Sequence, residues 1–239
     1  MSLYRDQGVV LRTIKLGETD RIVTVLTQGH GKIRAVAKGI RKPGSRFGAR
    51  LEPTTHVALQ CYRGRSDLDI VTQTETIDAN RALREHYGCL THSVSMLEAT
   101  DQVAQERELN PALYRMLVGA LRTLAAEPSP LVSAAFFWKL LSLEGFHPML
   151  DTCARCGDES GPFTAFDVEE GGVLCEQCGR FGGRRVLPDT IALVQRILGG
   201  DLRSALAETP GPTTTDVEHL AVFTLEHHLE RRLRSAALL

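Results

Sequence analysis

Aromatic residues are few in this chain, 5% of 239 positions, and the first 65 residues hold only Tyr4, Phe47 and Tyr62. So thin a supply excludes a nucleic-acid platform built from rows of stacked rings. No apolar run approaches the roughly 20 residues that cross a bilayer. The opening Met-Ser-Leu-Tyr-Arg-Asp has no apolar signal core, so the expectation is a cytoplasmic protein whose cysteines stay reduced. Acids are scarce at the front: Asp6, Glu18, Asp20 and Glu52 are all that residues 1–65 contain. They are too scattered to build a two-metal nuclease; Glu18 and Asp20 fit a turn or a pairing with Arg21. A phosphate-binding loop is missing too, because Ser45-Arg46 follows Gly39 and Gly44 where Lys-Ser or Lys-Thr is required. Nothing here forms a catalytic constellation, and the chain is expected not to be an enzyme.

Against these absences stands a segregation of charge. The chain carries a formal charge of −1, yet residues 1–65 hold thirteen Lys or Arg against four acids, leaving +9 there and −10 in the remainder. A basic module joined to an acidic body points to a polyanionic partner. The densest part is Lys38-Gly39-Ile40-Arg41-Lys42-Pro43-Gly44-Ser45-Arg46-Phe47-Gly48-Ala49-Arg50, with five cations and no acid. Its glycines allow close approach of backbone to phosphate. Phe47 and Tyr62 are the rings available to stack on bases.

Periodicity divides the chain at the same place. Val9–Ile14, Arg21–Thr27, Lys32–Lys38, Val57–Arg63 and Leu68–Thr74 read as short strands between glycine-rich turns, a pattern that predicts a small five-stranded barrel. In the third run Ile33, Ala35 and Ala37 share one face, and Lys32, Arg34 and Lys38 the other. After residue 80 the spacing becomes helical. Leu83, Tyr87, Leu90, Val94 and Leu97 form one stripe, and Asn110-Pro111 starts a second helix. A third runs from about Leu131 to Gly145, and two more occupy Ile191–Leu198 and Asp216 to about Ala236. Thr209–Thr215 reads as a linker.

Four cysteines interrupt the helical part. Cys153-Ala-Arg-Cys156-Gly157 and Cys175-Glu-Gln-Cys178-Gly179 are two knuckles separated by eighteen residues, a spacing that lets two tight turns aim four sulfurs at one metal ion. Such a shell is closed and therefore structural, and no H-x-E precedes either knuckle as a deaminase requires. The glycine after each knuckle suits a left-handed backbone. His147 is not needed as a ligand, because four cysteines fill the shell. Arg155, Arg180, Arg184 and Arg185 lie near enough in sequence to offset the −2 charge of four thiolates and Zn2+. Cys61 and Cys89 read as small core residues. His227 and His228 project about 100° apart on a helix and read as a solvated face.

The runs Gly8-Val-Val-Leu-Arg, Gly17-Glu-Thr-Asp-Arg-Ile-Val, His30-Gly-Lys and Ala37-Lys-Gly-Ile-Arg-Lys-Pro-Gly-Ser-Arg-Phe-Gly resemble the N-terminal domain of the RecO family of DNA repair proteins. Cys153, Cys156, Cys175 and Cys178 match that family's zinc-binding form, and these features occur in the family's order along essentially the whole chain. The resemblance implies an α+β protein: an N-terminal OB-fold (1–79), a helical domain (80–150 and 184–239) and an inserted zinc finger (151–183) holding one structural Zn2+. It implies a nucleoid-associated recombination mediator that binds single- and double-stranded DNA and anneals complementary strands. With RecR it would promote RecA loading on DNA coated by single-stranded-DNA-binding protein, SSB, whose acidic C-terminal tail it would engage. Carried over by position, Lys38, Arg41, Lys42, Arg46 and Arg50 would contact DNA, with Lys32 and Arg34 as additions. From the residues alone, a zinc-ribbon RNA-binding module or a scaffold for acidic peptides remains an alternative.

Overall fold

The first strand is long enough to belong to two ladders. In the structure, a computed structural model that describes residues 2–45, 47–64 and 67–239, β1 (Leu3–Leu16) pairs antiparallel with β4 (His56–Tyr62) through its first half. Its second half pairs with β2 (Asp20–Thr27). A register shift between Val10 and Arg12 marks a bulge, which bends the strand from one ladder to the other. Gly8 sits where the ladders overlap. A Cβ there would lie 2.6 Å from the Leu26 carbonyl oxygen, so the approach requires glycine. β3 (Gly31–Ala37) continues from β2 and meets β5 (Leu68–Asp78) in a short parallel pairing. β5 then runs antiparallel to β4 and closes the barrel in the order β1-β2-β3-β5-β4. All five expected runs are strands, and the barrel is an OB-fold.

Alternation supplies the barrel's interior. Val23, Val25, Ile33, Ala35, Val57, Leu59, Cys61 and Val71 are buried together, while Lys32 and Arg34 face outward. One end is stoppered by the chain between β3 and β4, whose Ile40, Phe47 and Leu51 belong to the same core. Burying the Phe47 ring alone stabilises the barrel by about 1.5 to 3 kcal/mol.

Two compact units emerge, residues 1–127 with 237–239, and residues 128–236. The helices α1 (Arg81–Glu85), α2 (Tyr87–Val103) and α3 (Pro111–Ala126) belong to the barrel's unit. The expected single stripe from Leu83 to Leu97 breaks at His86, whose backbone is extended, and Tyr87 is left 71% exposed. The buried face of α2 is instead rich in small hydroxyls. Ser93 Oγ donates to the Leu90 carbonyl (2.8 Å) and Thr100 Oγ1 to that of Met96 (2.8 Å), so these two hydroxyls are buried with their bonds made, while Ser95 Oγ has no hydrogen-bond partner among the described residues; the face escapes an apolar pattern search. α3 starts as expected: Asn110 Oδ1 accepts from the Leu113 amide at 2.9 Å, and Pro111 takes the first helical position.

The second unit is organised around α4 (Pro130–Leu143), buried on nearly every side and packed against α5 (Pro188–Leu198) and α7 (Pro212–His228). A short α6 (Leu202–Leu206) was not expected. Part of the expected linker is helical: the Gly211 amide donates to Thr214 Oγ1 at 2.8 Å, and α7 begins at Pro212. That helix also stops early, at His228, where Glu230 takes a positive φ of 50° and Glu226 Oε1 accepts from the Leu233 amide at 2.8 Å. Between α4 and α5 lies a small sheet of order β7-β6-β8, formed by β6 (Phe163–Asp167), β7 (Gly172–Cys175) and β8 (Arg184–Arg185). Among the described residues no helix is long and apolar enough to cross a membrane.

In the first unit, the loop between α2 and α3 docks on the barrel. The Arg107 amide donates to the Lys32 carbonyl at 2.9 Å, and a Cβ on Gly31 would sit 2.0 Å from the Glu108 carbonyl oxygen. Beneath the loop, the fully buried Asp69 accepts from Arg107 Nη2 (3.0 Å), the Tyr4 hydroxyl (2.5 Å) and the Gly64 amide (3.0 Å). Burial alone would raise this carboxyl, but the three donors offset that and hold it below the usual carboxylate range. Arg107→Ala is therefore expected to destabilise the chain by about 3 kcal/mol in urea unfolding, the low end for a buried carboxylate losing its cation, since Tyr4 and Gly64 still bind it. Because Asp69 is more acidic folded than unfolded, its contribution is full above about pH 4 and disappears as pH falls through the lowered native value. The difference in stability between wild type and Arg107→Ala should accordingly shrink as pH falls below about 4.

Candidate metal centre and nucleic-acid interface

The sulfurs of Cys153, Cys156, Cys175 and Cys178 all lie within 4.8 Å of one another. β7 delivers Cys175, the turn after it Cys178, and the knuckle before β6 the other pair. Gly157 closes the first knuckle with φ +76° while its amide donates to the Cys153 carbonyl at 2.8 Å. Gly179 differs from expectation. It is not left-handed, and its constraint is space, since a Cβ would meet Thr164 Oγ1 at 3.1 Å and Ala165 Cβ at 3.3 Å.

All six cysteines are unbridged, and Cys61 and Cys89 are buried in the other unit, as expected of core residues. Burial would raise the Cys153 thiol, but amides of Cys175, Cys156 and Arg155 directed at its sulfur bring it down to about 6. Cys178 is pushed up to about 12 by burial and by the adjacent sulfurs. Four sulfurs this close resist joint ionisation, and a divalent cation is what makes it favourable. The donor set, all sulfur and converging, fits a metal ion. The arginines have other partners: Arg155 meets Asp167 and Glu170 (both 3.2 Å), Arg180 meets Glu176 (2.9 Å) and Arg184 meets Asp216 (3.2 Å). Arg155 also donates to the Cys178 carbonyl at 3.3 Å and is held more basic, chiefly by Glu170 and in part by the Cys178 sulfur, so it both binds carboxylates and faces the thiolates.

The basic segment lies in the other unit. Its apolar residues point into the barrel, while Lys38, Arg41, Lys42 and Arg50 are exposed. The β1–β2 turn holds it in place: Asp20 Oδ1 accepts from the Gly39 amide (2.7 Å), the Thr19 carbonyl from the Arg41 amide (2.9 Å), and the Glu18 carbonyl from Arg41 Nη1 (2.8 Å). The Gly39 amide is the main reason the Asp20 carboxyl is lowered. Asp20 thus stabilises a turn as expected, whereas Arg21 pairs with Glu52 at 2.9 Å. Gly39 and Gly44 have φ of +67° and +72°, conformations closed to most side chains.

Phe47 corrects the sequence reading. Its ring is 1% exposed inside the barrel and offers no face to a base in this fold. A lone phenylalanine among cations has no periodicity to announce that it is a core residue. Lys32 and Arg34, on β3 just ahead of the segment, are already paired. Lys32 Nζ donates to the Asp101 carbonyl (2.5 Å) and sits 3.3 Å from Asp101 Oδ1, and Arg34 lies 3.6 Å from Glu106. Arg12 also reaches Asp101, at 2.5 Å. These counter-charges come from residues more than 65 positions away and carry no local signal. Arg46 lies outside the described residues.

The fold and these sites define an OB-fold protein joined to a helical unit with a four-cysteine metal centre. Comparison with known families gives the particular one. Residues 1–80 match the model for Recombination protein O N terminal, and residues 84–237 that for Recombination protein O C terminal. A DNA repair protein RecO of Thermobifida fusca (strain YX) is 44% identical over 243 residues, covering 100% of this chain and 98% of that relative. The chain belongs to the RecO family, and its role is in DNA repair and recombination.

Trp138, the chain's single tryptophan, is buried in α4 and stands edge-on to Phe166 of β6 with ring centroids 5.8 Å apart. Stripping the metal with a chelator is expected to loosen β6 and red-shift the tryptophan emission. Cys156 is exposed, so Cys156→Ser removes nothing from the core. A fall in Tm of at least about 5 °C in that variant would therefore report the lost ion, and an unchanged melt would show that the ion does not hold the unit.

Proposed function

We propose that this chain is a recombination mediator that binds DNA through the core-anchored basic segment and acts without catalysis. The observation that carries the reading is the exposure of Lys38, Arg41, Lys42 and Arg50 on a segment whose Ile40, Phe47 and Leu51 are fixed in the barrel. The cations cannot drift from the surface that presents them. Arg46 joins them by sequence position. Lys32 and Arg34 extend the site only where phosphate displaces Asp101 and Glu106. Contacts of this type are to phosphate, so both single and double strands bind, with little regard to sequence.

Annealing follows from the same chemistry. Two complementary strands repel through their phosphates, and a protein that neutralises one strand while leaving base edges open lowers the barrier to pairing without nucleotide hydrolysis. The family membership supports a place beside RecR in loading RecA onto SSB-coated DNA, with the acidic SSB tail as a further partner. The four thiolates hold one Zn2+, since an all-sulfur tetrahedral set suits zinc. Its task is structural.

Fluorescence anisotropy with labelled single and double strands across salt concentrations tests the proposal. Arg41→Glu/Lys42→Glu is expected to weaken binding to all sequences alike and to flatten the log-log salt slope by about 1.4 on single strands and about 1.8 on duplex. Unchanged affinity would remove the segment as the DNA site. Metal analysis should find one zinc per wild-type chain and less than one in Cys156→Ser.

A further inference from the structure

The register of β1, β4 and β5 aligns their outward side chains in rows. Val57, Leu59 and Cys61 of β4 point into the core, which turns Ala58, Gln60 and Tyr62 outward. Leu3, Tyr62 and Ile70 are partners across the three strands, and so are Arg5, Gln60 and Gln73. The first row is apolar and open to solvent, with Tyr62 41% exposed. The second is polar, with Arg5 Nε donating to Gln60 Oε1 at 2.9 Å. An open groove of about 970 Å3 runs beside it, lined by Arg5, Gln60, Thr72, Gln73 and Arg50. Arg50 ends the basic segment, so the groove begins where that segment stops.

We infer that this face is a subsite for the unstacked bases of a single strand, with Tyr62 as the stacking residue. The inference rests on the DNA-binding reading above and adds strand selectivity to it. Cations at Arg50 and Arg5 suit phosphates, the amide of Gln73 suits a base edge, Gln60 being held by Arg5 (2.9 Å) and Thr72 (3.3 Å), and an exposed ring flanked by Leu3 and Ile70 suits a base face. The acids of the groove are Asp6, which is held by His30 Nδ1 (2.6 Å) and the Gly29 amide (3.0 Å), and Glu75 at the end away from Tyr62. A duplex keeps its base faces stacked on one another and cannot use Tyr62. The basic segment therefore binds either form of DNA, and the sheet face distinguishes them.

The test uses the full-length, metal-loaded chain with Tyr62→Ala and Tyr62→Phe, whose exposed position spares the fold, a point checked by thermal melts. Single strand and duplex of equal length are titrated at one salt concentration, and a strand carrying 2-aminopurine reports stacking by its quenching. Tyr62→Ala should lose roughly 5- to 150-fold in single-strand affinity, lose the quenching, and bind duplex as wild type does. Tyr62→Phe should retain both. Unchanged single-strand affinity, or an equal loss on duplex, would overturn the inference. The DNA-binding reading is judged separately, since Arg41→Glu/Lys42→Glu should impair both substrates.

Discussion

The stoppering of the barrel by its own basic segment is the constraint on which the rest depends. Ile40, Phe47 and Leu51 complete the core, and the cations between and around them are thereby presented outward with little freedom. Ordinary surface loops carry charge at the cost of ordering it when a ligand arrives. Here folding has already ordered it. The hydrogen bonds that Gly39 and Arg41 donate to Asp20, Thr19 and Glu18 reinforce the geometry by tying the segment to the first hairpin, so one apolar cluster and one turn set the position of the positive face.

Electrostatics then divides the cations into two populations. Arg12, Lys32 and Arg34 meet Asp101 and Glu106 of the α2–α3 region, and Arg107 meets Asp69, so these charges are engaged in the unit's own architecture. Lys38, Arg41 and Lys42 make no ion pair among the described residues. A net charge counted along the sequence treats both populations alike. The distinction comes only from tertiary contacts, and it leaves Lys38, Arg41 and Lys42 as the cations that the proposed interface can use without breaking an ion pair.

Much of this was legible beforehand where a local rule applied. Strand alternation located all five barrel strands, Asn110-Pro111 located a helix start to the residue, and the spacing of Cys153, Cys156, Cys175 and Cys178 brought four sulfurs together. What escaped was non-local or lacked a pattern. Phe47, set among cations, reads as a ring available to bases although it is a core residue. α2 hides a buried face behind hydroxyls, Ser93 and Thr100 bonded to their own helix, and the linker before α7 folds because Thr214 caps it. The counter-ions of Lys32 and Arg34 lie far along the chain. The candidate site was thus visible in outline, but which of its cations are already ion-paired was not.

The docking of the α2–α3 loop has a consequence for the order in which the protein is made. Asp69 leaves the ribosome 38 residues ahead of Arg107, and all five strands are synthesised before the segment that covers the start of β3. A nascent barrel must therefore wait with an open strand edge and a carboxylate lacking its cation, a state prone to pairing with other chains. Completion of the contacts around Asp69 coincides with arrival of the loop. A chain ending at β5 would have every strand of the barrel but neither the cation for Asp69 nor the cover at the start of β3.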